Sequence, residues 1–427
     1  MSRGFREARP PVPALSGTWL VCLFLFFSTF CNGAFGPVLP EIARSRELAD
    51  WQLGVVAGAF GFARMAGAMP AGLLAGRRLA TSFTLAPGVM VLGLLVLGTG
   101  GPFPVLVLGR ALMGLAHTLG MVSGLTAVLE DDRGAGAAVR LNTYEFSGMF
   151  GILGGLTLVG LLPKTWDWNV SLLAASSPVL LGAAVVPLLR RHLPGPPPSR
   201  PHAAAAASDS EHSSTARTPA VVWMMLGVGM LFAFCWSSVS QFLIPLRGTR
   251  EFGLDRAGIS RLLAMAQVVD LVALIPVGQL ADRLGRSRVL GAVALALGLG
   301  TLGTGLGSFP LFVLGCVGFG LGLAGWMLPL GVIREHAGRE GLAWRTGLYR
   351  AGVDAAVFLG PVVSGLLGAR AAGWFVAAVG VLCGIGLLGF AAIAAVGTAL
   401  LLFILRKIDL YGMVEKVETE TNNNNSN

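Results

Sequence analysis

The stretch Gly278-Gln279-Leu280-Ala281-Asp282-Arg283-Leu284-Gly285-Arg286-Ser287-Arg288 closes one apolar run, 255–281, and opens the next, 288–307. Each run is near the ~20 residues that a bilayer-spanning helix needs. Barrel strands are excluded, because they are about 10 residues of alternating polarity, whereas a helix satisfies every backbone group within its own segment, as lipid requires. Outward from this loop the alternation repeats along the chain, giving spans at 17–38, 51–74, 81–100, 103–127, 139–162, 168–190, 220–246, 255–281, 288–307, 309–333, 343–369 and 372–404. Of 427 residues 54% are hydrophobic and 12% charged, with a mean hydropathy of +0.73; soluble domains carry about 25% charge. The expected fold is an all-α membrane protein of twelve transmembrane helices.

The net charge of +9 would suggest nucleic acid for a soluble chain, but here the arginines sit in short loops and set orientation. No nucleic-acid partner is expected. With the N-terminus in the cytoplasm, that side carries nineteen Arg and Lys residues between Arg3 and Lys407; the opposite loops carry seven, Arg44, Arg46, Lys164, Arg247, Arg250, Arg256 and Arg370. Both termini are therefore expected inside, with the chain in the inner membrane. The five cysteines all lie in apolar runs, where free thiols behave as small hydrophobes, and no metal-type Cys/His spacing occurs.

Composition also divides the chain. Residues 1–16 form a basic, Pro-rich cytoplasmic segment, read as retained because no cleavage site precedes a soluble domain. A six-helix bundle at 17–190 is followed by a Pro/Ala/Ser-rich flexible linker at 191–219 and a second bundle at 220–404. The tail 405–427, with its asparagine run, reads either as a helix emerging into the cytoplasm or as sequence appended for expression. The two bundles are copies: Gly72–Arg77 overlays Gly278–Arg283 at an offset near 206, and Glu130, Arg140, Tyr144, Gly155 and Gly160 overlay Glu335, Arg345, Tyr349, Gly360 and Gly365 at 205. A parallel repeat puts a binding site between the halves near the membrane midplane.

The loop at 278–288 resembles the signature of the major facilitator superfamily (MFS), G-x-L-A-D-R-x-G-R-x-R. Arg110 with Gly114 is similar to the family's arginine–glycine motif of span four, and Gly360-Pro361 to its Gly-Pro motif of span eleven. The resemblance covers Trp19 to about Phe390. It implies two pseudo-symmetric six-helix bundles working by rocker-switch alternating access as a secondary transporter, by symport or antiport. Gly76 stands where the family usually has aspartate, and span five has Gly151, Gly154 and Gly155 without the proline that marks antiporters. The resemblance also implies a gating loop of Gly278, Asp282, Arg283, Gly285 and Arg286. Its carboxylate is expected at the positive end of span five, an arrangement worth ~0.3–1 kcal/mol, with Arg286 and Arg288 pairing with Glu130, Asp131 or Asp132; a purely solvated loop is the alternative.

Six charges fall inside spans, where each costs at least ~2.5–3.5 kcal/mol unless paired or hydrated: Arg64, Arg110, Glu145, Asp270, Arg350 and Asp354. In the repeat Arg64 overlays Asp270 and Glu145 overlays Arg350, so equivalent positions carry opposite charge. The family's packing of span two on eleven and of five on eight implies that Arg64 faces Asp354 or Arg350, and that Asp270 faces Glu145. Arg350 and Asp354, four apart, can also pair with each other. Two readings stand: Asp270 and Glu145 carry the coupled proton, or all six form structural ion pairs. Arg110 is the leading substrate candidate, since an arginine forks to a carboxylate or phosphate; His117 is read as a proton relay or simply as a hydrogen-bonded ring. The cavity-lining spans one, four, seven and ten offer Asn32, Trp236, Gln241 and Trp326 as further substrate contacts, an apolar pocket with few polar groups.

No HExxH, GxSxG or GxxxxGK[ST] pattern is present, so neither an enzyme nor an ATP-driven pump is expected. The expected partners are a small-molecule substrate, amphipathic or monoanionic, with protons and the lipid bilayer. No cofactor or metal is expected, and the protein is expected to be a monomer. The alternatives are a proton-independent facilitator, a sensor on the same scaffold, or a proton-driven drug exporter.

Overall fold

A computed structural model describes residues 17–130, 137–193, 220–336 and 342–389. The expectations for 1–16, for the linker beyond 193, for Asp131 and Asp132, and for the chain past 389 lie outside these residues. Among the described residues eleven stretches are long and apolar enough to cross a bilayer. One of them, Asp50–Gly98, has 49 residues, about 74 Å at 1.5 Å per residue and far more than one crossing needs. It breaks at Arg78, whose φ of −146° and ψ of 64° are not helical. The break yields two crossings and a total of twelve helices: α1 Gly17–Ser45, α2 50–77, α3 79–98, α4 Phe103–Glu130, α5 Ala137–Leu161, α6 Trp168–Arg190, α7 Ala220–Phe252, α8 Arg256–Leu284, α9 Arg286–Gly305, α10 Phe309–Ile333, α11 Leu342–Leu367 and α12 Ala369–Gly389.

Several spans run longer than their apolar core, and α1 reaches Ser45 rather than 38 although Pro37 and Pro40 lie inside it. It is interrupted at Thr29, whose hydroxyl donates to the Leu25, Phe26 and Gly148 carbonyls, giving a peptide group freed by the break a side-chain partner. In α7, residues Val239–Leu243 form a π-turn. In α10 the helix loosens into turns between Leu323 and Leu328. Between α8 and α9 the turn is a single residue, Gly285, at φ 91°, a region open to glycine and strained for other residues.

The halves repeat in their contacts as well as their sequence. Tyr144 of α5 donates to the Met121 carbonyl at 2.9 Å, and Tyr349 of α11 reaches the Trp326 carbonyl at 3.5 Å; both members are offset by 205. A Cβ at Gly155 would overlap the Phe30 carbonyl of α1, and one at Gly360 would lie 2.7 Å from the Phe234 carbonyl of α7. These glycines allow backbones to touch, the usual means of packing helices in lipid. Between halves, α2 packs on α11 through Gly54, Gly58 and Gly61 against Pro361 and Phe358, and α5 packs on α8, with Gly160 against Ser260. The expected pairing of spans two with eleven and five with eight is present.

Candidate functional site

The two faces of the bundle differ. Where α1 runs into α2 and α7 into α8, three ion pairs join the halves. Arg250 binds both Asp50 oxygens at 2.7 and 3.0 Å, Arg256 reaches Glu41 at 3.3 Å, and Lys164 pairs with Asp255. Arg256 is buried at 4% side-chain exposure, and its guanidinium also donates to the Pro163 carbonyl at 2.8 Å and the Trp166 carbonyl at 3.4 Å. Asp255 caps α8, accepting from the Gly258 amide at 2.8 Å. That bond and the Lys164 ammonium hold its carboxyl below the ordinary aspartate range, Lys164 contributing most. None of these pairs was anticipated, because the loop arginines were read for topology alone and their partners lie far along the chain.

On the opposite face Asp282 is 74% exposed, with Arg286 of its own turn 3.7 Å away. The expected docking of Asp282 on the start of α5 is not present among the described residues. Gly278 and Gly285 have open space around them, as does Gly76 in the first-half loop. Arg283 resides in the last turn of α8.

Between the faces lies a cavity enclosing about 1100 Å³ of space, part of it open to solvent. Leu25, Met121, Phe146, Met149, Ile152 and Leu274 make it largely apolar, while Arg64, His117, Glu145, Asp270, Trp236, Trp326 and Arg350 reach its wall. Arg64 is paired: its Nη2 lies 2.5 Å from Asp354 Oδ1, with side chains 10% and 3% exposed, although the approach is too oblique for Oδ1 to count as hydrogen-bonded. The α2–α11 pairing therefore takes Asp354 away from Arg350. The expected Arg350–Asp354 pair is not formed, and the Arg350 guanidinium instead meets the Met121 sulfur.

Asp270 and Glu145 line the same cavity, but no hydrogen bond joins them among the described residues. Asp270 Oδ2 accepts from Gln267 Nε2 at 3.0 Å, and its Oδ1 is buried without a partner. Arg110 is not on the cavity wall. It is 2% exposed and sandwiched by Phe35 and Phe60, with its guanidinium carbon 3.7 and 4.7 Å from the ring centroids, while Nε and Nη1 have no hydrogen-bond partner. Here Arg110 is held by aromatic faces and is not positioned to touch a molecule in the cavity. His117 Nδ1 lies 3.3 Å from Asn32 Nδ2, and its ring packs on Phe60.

Asn32 and Gln241, with Trp236, line a smaller chamber adjoining the cavity. Sequence reasoning missed Asn142, Thr29, Met121, Met149 and Gln267 on the cavity wall. Two had a legible signal: Asn142 precedes Glu145 by three residues and Gln267 precedes Asp270 by three, the spacing of one helix face. The methionines had none, since methionine in a span is ordinary packing material.

Comparison with known proteins adds the family. The model of the Major Facilitator Superfamily matches residues 21–251 and 243–401. No curated protein sequence matches the chain. Among solved structures the chain is similar to the nucleoside transporter NupG, at 13% identity and TM-score 0.66 over 88% of this chain and 99% of that one. It is also similar to a peptide transporter of the POT type in complex with alafosfalin, at 15% identity and TM-score 0.68 over 90% and 96%, and to a POT family transporter in complex with 5-aminolevulinic acid, at 13% and 0.70 over 88% and 96%. At such identities the likeness carries the fold, and the family match carries the assignment. With twelve helices in two repeated bundles, a cavity between them and a family match along nearly all of its length, the chain belongs to the major facilitator superfamily and is a multi-pass membrane transporter, not an enzyme.

Proposed function

We propose that this transporter carries a small, amphipathic organic monoanion, coupled to protons, by rocking its halves about the central cavity. The observation that carries the reading is Arg350: it reaches the cavity wall, and among the described residues no carboxylate lies within ion-pair distance of it, whereas Arg64 is matched by Asp354. A mid-membrane guanidinium costs ~2.5–3.5 kcal/mol unless paired, so an entering carboxylate offsets that cost and gains forked, charge-assisted hydrogen bonds. The apolar remainder of the wall suits a cargo with a hydrocarbon body.

Asp270 is the proposed proton carrier. It is buried, its single partner among the described residues is a neutral amide, and its second oxygen is unpartnered there, so whatever occupies the cavity acts directly on its charge. Glu145 on the same wall is the second candidate. The arginine-rich Asp282 face is proposed to be cytoplasmic, with the termini, and the membrane to be the inner one. The present conformer is then open inward, and the Asp282 loop is proposed to latch that side in the outward state.

The test is counterflow of labelled short-chain monocarboxylates into liposomes holding the purified protein, with and without an inward acid gradient. Arg350→Gln is expected to weaken uptake by ten- to a hundredfold, the worth of one or two charge-assisted bonds. Asp270→Asn is expected to retain exchange but lose acceleration by the gradient. Full gradient-driven uptake in Asp270→Asn and Glu145→Gln would refute the coupling, and transport indifferent to Arg350→Gln would refute the anion reading.

A further inference from the structure

Beyond the main cavity, toward the closed face, lies a second, smaller chamber. It shares Ile152, Trp236, Gln267 and Leu323 with the main cavity, so the two adjoin. Two of its polar atoms are uncommitted acceptors. Asn32, 9% exposed, directs Nδ2 to His117 and leaves Oδ1 buried without a partner; Gln241 Oε1 is likewise buried and unpartnered.

Gln241 sits in the π-turn Val239–Leu243, where the Ile244 amide bonds back five residues to the Val239 carbonyl. Such bulges insert one residue into a helix and often mark functional sites. Here the bulged turn carries Gln241 on the chamber wall, which Asn32 of α1 also lines. Gly36 of α1 completes the wall: a Cβ there would lie 3.3 Å from both the Ser240 carbonyl and Leu263 Cδ1. On the same wall Ser240 Oγ donates to the Trp236 carbonyl at 2.6 Å and Gln267 Nε2 donates to Asp270 Oδ2.

Two buried amide oxygens lacking donors, one from each half, make a site that is costly to leave unsatisfied and selective for what satisfies it. We infer that the chamber receives a neutral hydrogen-bond donor, a hydroxyl giving its one proton to one of the two amide oxygens, at the end of the cargo remote from the carboxylate that Arg350 binds; the cargo class is a hydroxylated monocarboxylate. This rests on the anion reading above. The walls argue against other occupants. An ammonium would lose its hydration against neutral amides, and a divalent cation takes six or more oxygens where two are free. A methyl end would leave both oxygens bare.

The experiment measures equilibrium binding to the purified full chain of three series, from three to eight carbons: ω-hydroxy carboxylates, the plain carboxylates and the ω-amino carboxylates. At the best chain length the hydroxy acid is expected to bind about fivefold tighter than the plain acid, the worth of one neutral hydrogen bond, and the amino acid weaker than both. In Gln241→Met and Asn32→Leu the ratio of hydroxy to plain acid is expected to fall toward one. The ratio is internal to each protein, so a general loss of folded material does not imitate it. Plain and hydroxy acids bound equally by the wild type, a ratio unchanged in both variants, or a preference for the amino series would overturn the inference while leaving the anion reading standing. If none of the three series binds the wild type, or if binding is indifferent to Arg350→Gln, the anion reading fails and the inference falls with it.

Discussion

Replacing Arg256 by alanine is expected to open the face that this conformer closes. Three interhalf ion pairs hold that face, and their burial ranks them. Arg250 and Asp50 are 46% and 27% exposed and Lys164 is 73% exposed, so each of these pairs is worth at most ~0.2–1 kcal/mol. Arg256 differs, at 4% exposure. It donates to a Pro163 carbonyl at good length and reaches Glu41 and the Trp166 carbonyl at longer range. Taking one good charge-assisted bond at ~1.5–3 kcal/mol and two weaker ones, its removal destabilises closure by about 3 kcal/mol, on the order of a hundredfold in the equilibrium between closed and open. Spin labels at the exposed positions Glu47 and Ser308, one on each half, report the opening as a longer distance in reconstituted protein. Arg256→Ala is expected to move most of the population to it, and Arg250→Ala only a minor part. An unchanged distribution in Arg256→Ala, or a larger shift in Arg250→Ala, would refute the ranking by burial.

The other expectations concern the same architecture. Asp354→Asn leaves the Arg64 guanidinium buried without its counter-charge and is expected to cost about 3–5 kcal/mol, while Arg64→Leu with Asp354→Leu recovers most of the loss; thermal unfolding in detergent measures both. Gly54→Ala sets a Cβ against the Pro361 carbonyl and 3.1 Å from the Gly365 Cα, so the Glu47–Ser308 distance should lengthen as it does in Arg256→Ala. Asp255 is held below its ordinary range by Lys164 and the Gly258 amide. A carboxyl lowered in this way contributes fully above the unfolded value and loses its contribution as pH falls through the lower folded value. Between pH 5 and 8 this pair should therefore leave the closed population unchanged, with the loss appearing only under more acid conditions. Asp255→Ala, which removes the cap on α8, should cost about 1 kcal/mol, seen as a lower unfolding midpoint.

Much of the protein was legible without coordinates, for physical reasons that can be named. Apolar runs of about 20 residues are dictated by bilayer thickness, so the spans and the repeat could be read directly, and the offset of 205 reappears in the Tyr144 and Tyr349 contacts. The family's packing of span two on eleven narrowed the neighbour of Arg64 to Asp354 or Arg350, and the structure pairs it with Asp354. What charge alone left open was which intramembrane residues face the cavity. Arg110 and Arg350 are both mid-span arginines in sequence, yet one lies between two phenylalanine rings and the other reaches the cavity wall. Side-chain direction depends on helix rotation against neighbours, which a period of 3.6 constrains only when the polar face is unambiguous.

The sequence by itself determined that the chain lives in a bilayer, crosses it twelve times and consists of two related bundles, because each follows from local hydropathy or from self-comparison. Tertiary structure decided which face is closed, since Arg256 finds Glu41, Pro163 and Trp166 across gaps of 90 to 215 residues. It also decided that Asp282 stands in solvent beside Arg286 and that Asn32 and Gln241 share one chamber. Those facts belong to one arrangement of two bodies that can rock, and pairs formed only at their interface leave no local pattern in the chain.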